Sequence, residues 1–385
     1  TSAGALGGGI SSSVARALGG GRRADANALV AHSLILATAV SLAFSAAVLG
    51  GGPLLYQAMA SGRGEVLSTA LAYSTIIFGG ALFVWLVNAL ASLLRGCGEM
   101  FVPAAVIVGG EVLHIALAPV LIFGLGPSPA FGVAGAGLSL VTSYALRALV
   151  LGGYVLLRKA AIYLPDGPLR LRRDLFWDIL RVGLPGSVNT LMTNVNVMAI
   201  TSLVGSSGVL ALAGYGLAAR LEYLQIPLVF GFGSALVTMV GTNIGAGQVE
   251  RARRVAWLGS AVAATATGSV GLLVALVPHA WLGLFTSDAA VLAVGATYLR
   301  IVGPTYAFFG LGLALYFAAQ GAGRLTPALL AGFGRLVIAV AGGWLVLNGL
   351  HAGLPWLFAA IGGAFIVFGV AQALAVNQAI RGRVR

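Results

Sequence analysis

Glu222 is the side chain whose surroundings most demand an explanation. It stands inside an apolar run, 214–243, toward its outer half, in a chain with only ten Asp and Glu among 385 residues. An ionised carboxylate in such a run is expensive unless it is paired or hydrated, so it reads first as a functional group. It can take up H⁺ or ligate Na⁺, and losing its charge would change the packing around it. The structural alternative is an ion pair with Arg300 of the run 290–318. Arg220 is a poorer partner, because residues two apart on a helix face different ways.

Glu111 and Arg147 make a second set. Each lies roughly 15 Å in from the basic end of its apolar run, at 1.5 Å of helix rise per residue. Adjacent antiparallel helices would bring them together as a neutral structural pair. His114 is one turn from Glu111, so a His–Glu proton relay is the functional alternative. Asn189 and Asn196 are seven residues apart, roughly one face, with Asn194 close by. Such amides either line a substrate cavity or hydrogen-bond between helices. Tyr215 and Tyr223, with Phe230 and Phe232, offer aromatic surface to a cation or act as packing and interface anchors.

Several chemistries have no footing. The segments GGGRR and GAGQVERARR are glycine-rich, but no Gly-Lys-Ser/Thr follows them, so they are not phosphate loops. They read as tight turns whose basic flanks meet anionic headgroups. With no ATP-hydrolysing signature, the energy source should be an ion gradient. His32, His279 and His351 lack metal-ligand spacing. No Ser/His/Asp set or GxSxG elbow is present. Neither an enzyme nor a resident metal or cofactor is expected, only H⁺ or Na⁺ as coupling ion. Cys97 is the only cysteine, so no intrachain disulfide can form.

The elements that carry these residues follow from composition. Hydrophobic residues make up 59% of the chain and charged residues 8%, against about 25% charged in a soluble domain. Mean hydropathy is +0.99. Lipid must be the main solvent. Eleven apolar runs long enough to span as helices are read at 1–18, 27–50, 68–94, 102–124, 134–157, 176–204, 214–243, 254–278, 290–318, 327–348 and 355–379. They lack the period-two alternation of a barrel strand.

The net charge of +12 is not a nucleic-acid signal, because of where it lies. Alternate connections hold Arg22 and Arg23; Arg95; Arg158, Lys159, Arg170, Arg172 and Arg173; Arg251, Arg253 and Arg254; Arg324; and the tail Arg381, Arg383 and Arg385. The others hold little beyond Arg63. That is a positive-inside pattern and puts the C-terminus in the cytoplasm.

The chain also repeats itself. Ser13–Ala26 (SVARALGGGRRADA) resembles Met239–Ala252 (MVGTNIGAGQVERA), and RGCG with Pro103–Ala104 resembles QGAG with Pro327–Ala328, each about 225 residues on. The repeat sets Arg335 opposite Glu111 and Gln372 opposite Arg147. The helix 176–204 precedes the second copy and has no counterpart after Thr1, so the expectation is that one helix and the start of the next are missing from the first half. The expected fold is an all-α membrane protein of two pseudo-symmetric six-helix bundles, about eleven helices being present: 1–157 an incomplete first bundle, 158–175 a cytoplasmic linker, 176–385 the second bundle.

These motifs, ARLE at 219–222, Ile226–Pro227, MVGTNIGAG at 239–247, ERA at 250–252, YLRIVGP at 298–304, QGAG at 320–323 and LRGCG at 94–98, resemble those of the multidrug and toxic compound extrusion (MATE) family. The resemblance implies a twelve-helix, V-shaped antiporter that exports organic cations or amphiphilic drugs in exchange for H⁺ or Na⁺ by alternating access. It further implies a monomer in a bacterial inner membrane, whose partners are small-molecule substrates and the lipid bilayer. The chain departs from the family in its acids. The first-helix Asp of one branch falls in the missing helix. The seventh-helix acid of another is absent, since Leu184–Pro185 is followed by GSVNTLMTNVNVM. The alternatives are a truncated, inactive transporter, a membrane scaffold or integral membrane enzyme, or a flippase for lipid-linked sugars from a related two-bundle fold. A flippase calls for a cavity rich in Arg and Lys, yet Arg147, Arg220, Arg300 and Arg335 are the only basic residues well inside helices.

Overall fold

Each apolar run folds as helix, as it must in a solvent that offers the backbone no hydrogen bonds. The computed structural model describes residues 2–60, 64–125, 129–165 and 170–381, with no strand among them. Arg63, Arg383, Arg385 and residues 166–169 of the linker lie outside the described residues, as does the side chain of Arg381. The first half holds α1 (Ser2–Gly19), α2 (Arg23–Ala60), α3 (Gly64–Gly79), α4 (Ala81–Gly96), α5 (Phe101–Phe123) and α6 (Val133–Leu156). The second holds α7 (Arg173–Gly205), α8 (Val209–Gly245), α9 (Val249–Leu276), the short α10 (Pro278–Leu282), α11 (Ala289–Val302), α12 (Tyr306–Ala322), α13 (Thr326–Val337) and α14 (Leu354–Arg381).

Nine stretches among the described residues, rather than eleven, are long and apolar enough to cross a bilayer. The two that fall short are helical all the same. Glycine and serine dilute α1, and α7 carries charged residues in its first turns and three asparagines further on.

The repeat is written into the backbone. Gly21 and Gly247 follow α1 and α8 with φ of +71° and +73°; Gly98 and Gly323 follow α4 and α12 with φ of +89° and +76°. Only glycine adopts this left-handed turn without strain. The break between α3 and α4 at Gly80 also corresponds to the 3₁₀ turn Gly303–Thr305 between α11 and α12.

The chain divides into two compact units, Thr1–Gly21 with Leu180–Arg385, and Arg22–Ile179. Contact thus groups α1 with the second half rather than with the rest of 1–157, because α1 packs on α8 and α12. In that unit α12 is the central helix, packed on α8, α9 and α14, while α13 leans on α14 and α11 on α8. Its core includes Tyr298, Tyr306, Leu315 and Phe358, all fully buried. In the unit 22–179, α6 packs on α3, α4 and α5, and α2 on α3 and α4. Large apolar side chains also cover the outside, with Phe101 81% and Val209 83% exposed, as a lipid-facing surface requires.

Candidate functional site

Glu222 projects from α8 toward two phenols. Its Oε1 accepts hydrogen bonds from the Tyr298 and Tyr306 hydroxyls, the latter at 3.4 Å. Tyr298 lies in the last turns of α11 and Tyr306 opens α12, on either side of the 3₁₀ turn. Packing holds the Tyr298 ring edge-on to Tyr215 at 5.3 Å and to Phe358 at 5.0 Å. Its hydroxyl is therefore aimed by rigid neighbours.

Around the carboxylate is a cavity of about 50 Å³, lined also by Thr193, Asn196, Tyr223 and Arg335. Arg335, from α13, reaches the Thr193 hydroxyl at 3.4 Å and lies over the Phe368 ring at 4.9 Å. Asn196 is buried, and its Oδ1 has no hydrogen-bond partner. Beyond α13 the backbone runs as π-helix through Ile338–Gly342, and Ala339 of that turn forms part of the wall. Such widened turns recur at functional sites. The cavity matches one or two water molecules and is far below the ~300–1,000 Å³ of a drug-sized pocket. It can hold a proton, a water or a small ion beside one carboxylate and one guanidinium.

Five residues singled out in the sequence thus share one cavity: Glu222, Asn196, Tyr215, Tyr223 and Arg335. Arg300 does not join them. It is exposed on α11, and buried phenols rather than that guanidinium reach Glu222. Arg220 is also exposed, lying 5.3 Å over the Phe285 ring. Asn194 is exposed and donates back to the Thr190 carbonyl at 3.0 Å, a bond within its own helix. Asn189 is half-buried, with its Oδ1 against Gly332. Phe230 packs edge-on against Phe317 at 5.7 Å. Tyr298, Tyr306 and Thr193 went unread. The only signal for Tyr298 was its place in the 298–304 motif, and nothing in residue spacing links positions 76 and 84 residues from Glu222.

Glu111 and Arg147 lie together in the unit 22–179. Arg147 Nη2 is 3.1 Å from Glu111 Oε1, with Arg147 2% exposed and Glu111 50% exposed. The guanidinium crosses over Gly110, where a Cβ would stand 1.8 Å from Nε, and over the Tyr144 ring at 4.6 Å. His114 is engaged elsewhere, its Nδ1 3.1 Å from the Ser139 hydroxyl. Among the described residues no group of three or more His, Cys, Asp and Glu could hold a metal ion.

A multi-pass, all-helical membrane protein with a duplicated plan and a small charged cavity among its helices belongs to the class of membrane transporters. The MatE family model matches residues 3–120 and 185–345, and the chain belongs to that family, one of transporters rather than enzymes. "Probable multidrug resistance protein NorM" of Thermotoga maritima is 26% identical over 325 residues, 84% of this chain and 70% of that protein. The "FAD transporter" of Shewanella oneidensis is 26% identical over 346 residues, 86% of this chain and 74% of that protein. A solved MOP superfamily transporter from Pyrococcus furiosus aligns with a TM-score of 0.91 at 24% identity, covering 98% of this chain and 84% of that one, a likeness of fold.

Proposed function

We propose that this protein exports amphiphilic organic molecules, organic cations among them, in exchange for an inward cation, and that Glu222 takes up that cation. The reading rests on one observation: a single carboxylate, held by two phenols, shares a water-sized cavity with a guanidinium. The groups that reach Glu222 are hydroxyl donors, which suits a carboxylate that gains and loses a proton. A bound Na⁺ would call for a shell of several acceptor oxygens, and beside the carboxylate itself the buried acceptor without a partner among the described residues that line the cavity is Asn196 Oδ1. H⁺ is therefore the favoured ion. Protonation would cancel the carboxylate and leave the Arg335 charge unbalanced, raising the cost of the conformation that buries it. An ion can shift a conformational equilibrium only by its differential affinity for the two states.

The drug-sized site lies elsewhere. Of the residues read in the sequence as lining a substrate cavity, Asn196, Tyr215 and Tyr223 line the small cavity at Glu222 and Asn189 and Asn194 do not, so the last two are the candidates for the drug-sized site. Export fits a relative named for multidrug resistance. The basic connections support a reading with the C-terminus on the cytoplasmic side of a bacterial inner membrane, the protein acting as a monomer with 158–175 as its cytoplasmic linker. Cells producing the protein should accumulate less ethidium than controls, and Glu222→Gln should remove the difference while the protein still reaches the membrane. Full efflux by Glu222→Gln would take Glu222 out of the coupling. Equal accumulation across several cationic dyes would refute drug export, and FAD belongs in the same panel because of its transporter relative.

A further inference from the structure

His32 occupies a place that no transport step requires. It is 1% exposed on α2, and both ring nitrogens are engaged. Nε2 accepts the backbone N–H of Arg172 at 2.8 Å, and Nδ1 lies 2.8 Å from the Ala28 carbonyl. An imidazole that accepts at Nε2 must carry its hydrogen at Nδ1, so this geometry defines the neutral ring and its tautomer. Its face packs on Phe176 at 4.6 Å.

The Arg172 amide belongs to the connector between α6 and α7, and α2 grips that connector at other points. Arg172 Nη1 meets Asp25 at 2.5 Å, and its Nε and Nη2 donate to Asp174 at 3.2 and 2.5 Å. Asn27 Oδ1 accepts the Tyr163 N–H at 3.2 Å. Arg22 also reaches Asp25, at 3.2 Å. The charged groups of the surrounding elements are Arg22 just before α2, Arg23 and Asp25 of α2, Arg95 of α4 with Glu99 just after it, Arg158, Lys159, Arg170 and Arg172 of the connector, and Arg173, Asp174, Asp178 and Arg181 of α7. The hydrogen bond between Arg172 and Asp174 holds the guanidinium above and the carboxyl below their ordinary ranges, so neither changes charge between pH 5.5 and 7.5. The imidazole is the group whose protonation would change the contact, because its Nε2 lone pair faces the Arg172 N–H.

We propose that His32 is a pH-sensitive latch on the connector: neutral, it holds the backbone around Arg172 against α2; protonated, it releases that backbone. Protonation at Nε2 turns the acceptor into a donor that faces the Arg172 N–H, and both are then left without a bond in a buried place. The Asp25 and Asp174 contacts remain, so release is confined to the backbone around Arg172. By the positive-inside reading the latch lies on the cytoplasmic side and responds to acid there. It is independent of Glu222 and of what is exported.

The test is amide hydrogen exchange on the full chain in nanodiscs at pH 7.5 and 5.5, corrected for the intrinsic pH dependence of exchange. Protection of the Arg172 amide should fall about tenfold at pH 5.5 in the wild type. His32→Gln keeps an acceptor that does not titrate, and its protection should be the same at both pH values. Unchanged wild-type protection would overturn the latch, as would an equal acid loss in His32→Gln. Should His32→Gln fail to fold, the wild-type profile decides alone, with Tyr163, held by Asn27, as the amide that should not change.

Discussion

Gly19 of α1 and Gly245 of α8 hold equivalent positions in the repeat, and each rests on the other helix's backbone. A Cβ on Gly19 would stand 2.0 Å from the Thr242 carbonyl oxygen, and one on Gly245 would stand 2.2 Å from that of Arg16. Arg16 and Thr242 are themselves 226 positions apart, as are the two glycines. The contact is a local two-fold: the two copies of one motif cross on themselves. Between them, Gly241 meets the Ala15 methyl, again one position and its own copy. Backbone atoms cannot yield as a flexible side chain can, so Gly19→Ala and Gly245→Ala should each cost about 1–3 kcal/mol. That should appear as a lower apparent melting temperature by scanning fluorimetry. Gly50→Ala, with nothing near its added methyl, should leave the temperature unchanged or raise it.

Arg16 closes the same junction from the side. It is 1% exposed, and its Nη1 donates to Ser12 and, at 3.4 Å, to the Gly321 carbonyl, while Ser12 donates to the Gln320 carbonyl. A cation at the last carbonyls of α12 also faces the negative end of that helix. Gly323, the α12 cap, leaves room for it; a Cβ there would stand 2.7 Å from Nη1. Arg16→Leu should destabilise the fold by about 1–3 kcal/mol through the carbonyls it strands. Gly323→Ala should add backbone strain to the same defect. In a double-mutant cycle the two should be less than additive, because they disturb one contact. Strict additivity in thermal unfolding would separate them.

The two phenols on Glu222 are not equivalent. The Tyr298 hydroxyl makes the shorter contact and is fixed edge-on by Tyr215 and Phe358, whereas Tyr306 reaches the same oxygen at 3.4 Å. A hydrogen bond to a charged group is worth about 1.5–3 kcal/mol. Tyr298→Phe should therefore lower gradient-driven efflux by about tenfold or more, and Tyr306→Phe by less. Dye efflux from energised vesicles measures the order. The reverse order, or no effect from either, would detach the phenols from the carboxylate's work.

What the sequence made legible was governed by lipid and by the repeat. Long apolar runs have one way to satisfy their backbone, so each of the eleven runs is helical, although 68–94 breaks at Gly80, 290–318 at the 3₁₀ turn Gly303–Thr305, 327–348 passes into π-helix, and the helix read at 27–50 extends to Ala60. The Gly21–Gly247 and Gly98–Gly323 turns were visible as duplicated glycine motifs. Glu222 was legible because a charge in an apolar run is costly whatever surrounds it. Its partners were not. Tyr298 and Tyr306 come from other helices, and which faces meet depends on helix rotation that an all-round apolar sequence does not encode. The alternative of an ion pair with Arg300 fails for this reason, since that residue is exposed on another face of α11. The grouping of α1 was hidden too, because glycines that permit a close crossing do not say which helix will cross.

Cys97 closes α4 and shows how a charged neighbour and burial act together just outside a membrane-spanning segment. Burial disfavours its thiolate, and the nearby Glu99 carboxylate adds to this, pushing the thiol up to about 12. Its S–H points at the Leu93 carbonyl, 3.2 Å away. The thiolate is the reactive form, and an ordinary cysteine is a substantial fraction thiolate at pH 8. With a raised value the group stays protonated through pH 8 and ionises only as pH approaches 12, so N-ethylmaleimide should modify it about a hundredfold or more slowly than a model thiol. Mass spectrometry of the intact protein after timed labelling reads the rate. Modification at the rate of glutathione would show that burial and Glu99 do not hold the thiol. The expected inertness would let the chain, with its one cysteine, serve as a silent background for cysteines introduced elsewhere, at exposed positions where a side chain meets no facing backbone.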